Sequence, residues 1–252
     1  MINSMKNIED IKNKIKSKGY WRVIIRPSKE FYRNDCFNLE SLSKVIENSY
    51  VSLRGWPYPY FDNSKIEISG MDRIRSYCDF GDEIEYWEFT TSGQFSHIFA
   101  MNEDYIINRE KADEIRTRFK FNKDEINKID KFLEVISAVY KITEIFKFAA
   151  NLAQQKEYEE VHTFEIILEL YDVRNRMLFI WDPLRFLFSP YICKIDDNKI
   201  SFNDIYKKEE LIANFTSFAL EKAIKLFQLF HWQNPSRQVL EGDQKKLLER
   251  RL

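Results

Sequence analysis

The residues best suited to chemistry in this chain lie in the run Thr90-Thr91-Ser92-Gly93-Gln94-Phe95-Ser96-His97. His97 follows a polar turn on a predicted strand, and a histidine there serves as general acid or base near neutral pH. Gln94 or Arg54 would polarise the substrate, and Ser92 or Ser96 would be the nucleophile. Two features weigh against this set. Ser96 and His97 are neighbours on a strand and point to opposite faces. Ser92 lacks the G-x-S-x-G context that lifts a serine onto a sharp strand-to-helix turn. The plainer reading is a hairpin turn followed by a hydrogen-bonded strand histidine.

A second candidate is Leu53-Arg54-Gly55-Trp56-Pro57-Tyr58-Pro59-Tyr60, which carries one guanidinium and three aromatic rings in eight residues. Such a loop stacks a planar ligand on Trp56 and Tyr58 while Arg54 holds a phosphate or carboxylate. The alternative is a rigid connection whose rings cap the core and whose arginine pairs with an acid. Arg22, Arg26, Arg54, Arg73 and Arg75 all lie in or beside predicted strands. If they converge, they form an anion or nucleic-acid surface. Glu67, Asp72, Asp79, Asp82, Glu83, Glu85 and Glu88 occupy the same region, so a cross-strand charge ladder explains the pattern equally well.

Metal chemistry finds little support. His97, His162 and His231 are far apart, and neither H-E-x-x-H nor C-x-x-C occurs. Asp196-Asp197-Asn198 reads as a polar turn. Asp172 with Asp182, or Glu165 with Glu169, is the nearest approach to a nuclease pair. No Walker A, Rossmann or kinase motif set is present, so no cofactor is implied. Near the end of the chain, Phe227, Phe230, His231 and Trp232 precede Arg237, Lys245, Lys246, Arg250 and Arg251. This cluster either docks a partner or packs a helix onto the core.

The elements that must position these residues follow from composition and periodicity. The 252 residues are 44% hydrophobic and carry a formal charge of -1, which excludes a disordered chain and a globally basic nucleic-acid binder. No apolar run reaches the roughly 18 residues of a membrane span. Cys36, Cys78 and Cys193 are odd in number and scattered, which reads as free thiols. With no secretory signal visible, a cytoplasmic location is expected.

Ile8, Ile11 and Ile15 predict a helix over 4–18, ended by Gly19. A strand is expected at Tyr20–Arg26, a helix around Leu39–Ile46, and strands at Tyr50–Arg54 and Lys65–Ser69. Over 83–91, Ile84, Tyr86, Glu88 and Thr90 alternate with Glu83, Glu85, Trp87 and Phe89, and Ser92-Gly93 turns the chain back toward Met101. A long helix is predicted from the Asn122–Glu125 capping box to Ala153. Hairpins are predicted within 164–181 and 191–202, then helices over 208–232 and after Ser236.

The fold class is therefore α+β: a β-rich half over 1–105 with short helices, and a mostly helical half over 106–252 carrying two hairpins. No linker separates the halves, so a shared core is expected.

Trp21-Arg22-x-x-Ile25-Arg26-Pro27, Leu53-Arg54-Gly55-Trp56-x-x-Pro59 and Ser92-Gly93-Gln94-Phe95-x-His97, with Asp243-Gln244-x-x-Leu247-Leu248-Glu249-Arg250-Arg251, resemble the pattern of a bacterial protein family to which no activity is attached. The resemblance spans nearly the whole chain. It implies no catalytic residues, and implies that both halves act as one unit.

The expected function is a binding or sensing module that recognises a nucleic acid, nucleotide or protein partner through Arg26, Arg54, Trp56, Tyr58, Arg73 and Arg75. The alternatives are a hydrolase using His97 and Gln94, and a structural subunit of a larger complex. No membrane partner is expected, and the oligomeric state is left open.

Overall fold

A computed structural model describes residues 2–29, 37–119 and 123–251. The chain has an α+β fold. It begins with α1 (Ile2–Lys16), β1 (Tyr20–Pro27) and α2 (Leu42–Ser49). A small two-stranded ladder, β2 (Val51–Ser52) with β3 (Pro57–Tyr58), carries the arginine–aromatic loop. Then come β4 (Glu67–Ser69), β5 (Arg73–Asp79), β6 (Ile84–Thr90) and β7 (Phe95–Ala100). Short helices α3 (Glu103–Ile106), α4 (Arg109–Thr117) and α5 (Lys123–Ile126) lead to β8 (Lys131–Glu134) and α6 (Val135–Ala153). The chain continues through β9 (Thr163–Tyr171), β10 (Arg176–Phe179), β11 (Lys199–Lys207), α7 (Lys208–Leu229) and α8 (Arg237–Leu248).

The main sheet has seven strands in the order β11-β9-β1-β7-β6-β5-β4, antiparallel throughout. Its alternation sorts side chains by face. Trp21, Val23 and Ile25 enter one large core with Trp87, Phe95, Phe99, Leu168 and the buried residues of α6 and α7. Tyr20, Ile98, Ala100 and Tyr86 face the other way, where Ile8, Ile11 and Ile15 of α1 make a smaller apolar cluster. Farther from α1 on that face, Arg26, Arg73 and Gln94 are only partly buried.

Strand β1, near the start of the chain, sits between β7 and β9, so both halves contribute to one sheet and to one core. The split at residue 105 is a change in composition within that shared architecture. The Ser92-Gly93 turn closes the β6–β7 hairpin, with Gly93 at φ 78°.

Four expectations are corrected. The helix predicted up to Ala153 begins only at Val135. Before it, β8 buries Phe132 and Leu133 and pairs in parallel with β10. Glu134 then caps α6 by accepting a hydrogen bond from Ser137 N at 2.5 Å. The predicted 164–181 hairpin does not form. Asp172 and Asn175 adopt φ 59°, which turns the chain off the sheet and sends β10 to β8. The predicted 191–202 hairpin also fails, because β11 lies along β9 and Ile192 bridges Met177 instead. The strand expected at Tyr50–Arg54 shortens to Val51–Ser52. Ser236 stands at the N-cap of α8, but its side chain makes no capping hydrogen bond. Cys36 and the Asn122 cap lie outside the described residues. No helix among the described residues is long and apolar enough to cross a membrane.

Candidate functional site

Strand register settles which arginines meet. Arg75 stands opposite Glu88, Glu88 opposite Ser96, and Ser96 opposite Ile24. Ile98 stands opposite Arg22, and Arg22 opposite Glu169. Arg22, Arg26, Arg73 and Arg75 therefore share the α1 face of the sheet. Arg54 does not join them: it lies on the other side, against α6, with Nη2 2.8 Å from Glu144 Oε2. A surface combining Arg54 with Arg26, Arg73 and Arg75 is not formed.

Each arginine on the α1 face meets a carboxylate. Arg22 Nη1 is 2.6 Å from Glu169 Oε2. Arg26 Nε is 2.7 Å from Glu165 Oε2, and its Nη1 donates to Gln94 Oε1 at 3.2 Å. Arg73 pairs with Asp72 at 3.0 Å and Glu88 at 3.5 Å, and Arg75 with Glu67 at 3.2 Å. This is the charge ladder that the acid-rich sequence allows. Burial alone would raise the pKa of Glu169. Hydrogen bonds from Lys199, Arg22 and Tyr171 outweigh it and hold the carboxyl below its ordinary value. The hydrogen bond from Arg26 holds Glu165 low in the same sense.

One place on this face keeps an excess of positive charge. Between α1 and the strands lies a cleft of about 410 Å³, lined by Lys12, Lys16, Tyr20, Arg22, Tyr86, Glu88, Gln94, Ser96 and Tyr171 among others. Lys12 and Lys16 are four residues apart, so both flank the apolar stripe of α1 and reach the same rim. Lys12 Nζ rests 4.2 Å from the centre of the Tyr86 ring. Neither lysine forms an ion pair among the described residues. Tyr20 and Tyr171, brought together by the β1–β9 pairing, stack with centroids 4.5 Å apart and planes within 3°. Gln94 Nε2 donates to Ser96 Oγ at 3.2 Å, and Tyr86 OH donates to Glu88 Oε2 at 2.9 Å. The lining thus offers three cations, one carboxylate, three tyrosine rings and an amide.

His97 borders this cleft between Ser96 and Ile98, but its side chain points into the core. Its side chain is 0% exposed, with the rings of Tyr58, Phe95 and Phe99 around it. Nε2 lies 2.7 Å from Glu85 Oε2, and neither ring nitrogen has a hydrogen-bond partner among the described residues. Glu85 is itself fixed, accepting from Tyr60 N at 2.7 Å. A dissolved substrate does not reach this imidazole. Gln94 is on the open face and His97 in the core, so the two do not form a catalytic pair.

The Arg54 loop is divided between the core and the surface. Trp56 stacks on Tyr60 at 5.2 Å and meets the edge of Phe80 at 5.4 Å. Tyr58 is buried among His97, Phe99 and Phe148. Tyr58 joins the core, while Trp56 and Tyr60 form a half-buried cluster with the exposed Phe80, so Trp56 and Tyr58 do not make one stacking platform.

Lys12, Lys16, Tyr20 and Tyr171 escaped the sequence reading. The i, i+4 lysines beside the isoleucine stripe were the available signal, while the tyrosine pair needed knowledge of the β1–β9 register. Among the described residues, no three His, Cys, Asp or Glu side chains gather as a metal site requires. Compared with protein-family models, with curated proteins and with solved structures, the chain matches none of them.

Proposed function

We propose that this chain is a binding module for a small planar anion of nucleoside-phosphate chemistry, seated in the cleft between α1 and the sheet. The observation that carries the reading is the charge imbalance of that cleft: among the described residues Lys12 and Lys16 have no carboxylate partner, whereas the arginines along the rest of the face are matched by acids. A nucleic acid tracking across the sheet would meet alternating charges of both signs. A compact ligand would meet the cationic rim alone. The volume of about 410 Å³ is within the range of small-molecule sites.

In this reading the phosphate takes hydrogen bonds from Lys12, Lys16 and Arg22. The base lies against Tyr20 and Tyr171, and Gln94, Ser96 and Glu88 supply donors and acceptors to its edge. A cytoplasmic site of action is part of the proposal, in keeping with the free, buried thiols of Cys78 and Cys193.

Calorimetric titration with the four nucleoside monophosphates tests it, using the wild-type chain and the Lys12→Ala/Lys16→Ala variant. A charge-assisted hydrogen bond contributes about 1.5–3 kcal/mol. Removing both lysines would weaken binding at least about a hundredfold, and added salt would weaken binding by the wild type. No binding of any monophosphate at about 1 mM would overturn the reading, as would unchanged affinity in the double variant.

A further inference from the structure

The helical side of the molecule carries a second feature, on the opposite side of the sheet from the cleft. Between β10 and β11 the chain runs through Pro183 and Pro190 and projects three apolar side chains. Leu184 is 89% exposed, Phe186 65% and Phe188 85%. Phe186 and Phe188 meet edge to face at 5.2 Å, so they form one ridge. The ridge residues Leu184, Phe186 and Phe188 form one wall of a hollow of about 300 Å³, and Tyr191, Trp232 and Leu240 form the other. Its wall is firm, because Tyr191 and Trp232 stack at 5.2 Å with planes 14° apart.

We infer that this patch is the interface of a two-fold homodimer, in which the Phe186–Phe188 ridge of each copy enters the hollow of the other. Three observations select a second copy as the occupant. A two-fold contact requires one patch to carry both a protrusion and the cavity that receives it, and this patch carries both. The second is charge. Around a two-fold axis like charges meet, and the patch has a single lining cation, Arg185. Arg185 is forked onto Asp243, with both contacts at 2.9 Å, so it is neutralised within its own chain.

The third is area. At roughly 200 Å² for a large apolar side chain, the three projecting residues and Val239, 49% exposed, offer about 500–600 Å². That is at the top of what a monomer ordinarily leaves uncovered. With the rims of Tyr191 and Trp232 it approaches the roughly 800 Å² per partner of a standard interface. The arrangement leaves both α1 clefts free, so dimerisation and ligand binding are independent.

Sedimentation velocity of the full chain over roughly 1–100 μM, with Leu184→Asp and Phe188→Asp alongside, tests the inference. The wild type is expected at twice its 30.5 kDa chain mass, and both variants at the single-chain mass with an unchanged circular-dichroism spectrum, since the altered side chains are exposed. A wild type that stays monomeric across the range would overturn the inference. So would dimers that persist in both variants, because the contact would then lie elsewhere.

Discussion

Arg54 and Glu144 meet in a two-point fork, with Nε 3.0 Å from Oε1 and Nη2 2.8 Å from Oε2. The Glu144 side chain is only 2% exposed. Burial raises its pKa, and the charge and hydrogen bonds of Arg54 oppose that rise. The same neighbourhood holds Lys141, which donates to Asn102 Oδ1 at 3.0 Å, and Asn102, which donates to Glu83. The arginine of the Leu53–Tyr60 loop therefore anchors that loop to α6.

This pairing sets the first prediction. Removing one member of a buried ion pair costs about 3–5 kcal/mol, because the other is left uncompensated. Arg54 is partly exposed, so Arg54→Ala is expected near the lower end, read as a lower urea midpoint. The double change Arg54→Met with Glu144→Leu should recover much of the loss. An Arg54→Ala chain as stable as the wild type would contradict the fork.

Gly19 gives a second prediction. Its backbone N–H donates to Asp104 Oδ2 at 2.8 Å, and Asp104 forks onto Arg176, which is 0% exposed. A Cβ at position 19 would lie 2.2 Å from Arg176 Nη2. The guanidinium also holds Phe132 O at 2.7 Å, so it cannot retreat without breaking that bond. Gly19→Ala should destabilise by about 1–3 kcal/mol, the range for overpacking, measured by thermal unfolding.

The β1–β9 ladder makes stability depend on pH. Glu165 and Glu169 have folded-state pKa values below their ordinary ones. Their contribution is fully present above the ordinary glutamate value of about 4.3 and is lost as pH falls through the lower folded-state values. Glu83 and Glu144 act in the opposite sense, since burial raises both, and their contribution falls as pH rises through the raised values. Glu169→Gln should flatten the acid limb of a plot of melting temperature against pH. An unaltered acid limb would show that Glu169 is not linked to folding.

Lys16 separates binding from folding. It is exposed and forms no ion pair among the described residues, so Lys16→Ala should change stability by no more than about 0.5 kcal/mol. Lys12→Ala removes a cation from the Tyr86 face and should cost about 0.5–1 kcal/mol. Both should weaken nucleotide binding. A Lys16→Ala chain that unfolds early would mean that the lysine is structural.

Local pattern determined a good part of this protein. Ile8, Ile11 and Ile15 specified which flank of α1 meets the sheet, and with it the rim where Lys12 and Lys16 stand. The alternation along Ile84–Thr90 put Glu88 and Tyr86 on one face and Trp87 and Phe89 on the other, because side chains on a strand repeat every second residue. The same parity placed Arg22 with Arg26, and Arg73 with Arg75.

Tertiary structure alone decided which strands are neighbours. Nothing local to Tyr20–Pro27 says that residues 164–171 will lie alongside, yet that pairing supplies the carboxylates of Arg22 and Arg26 and stacks Tyr20 on Tyr171. It also decided that Phe132 and Leu133 would serve a parallel pair with β10 instead of extending a helix. Short apolar runs satisfy either period, and the choice between them is made by the burial available elsewhere in the chain. Arg54 illustrates the same limit: its sequence neighbours suggested a surface for anions, and a glutamate ninety residues away claimed it for the core.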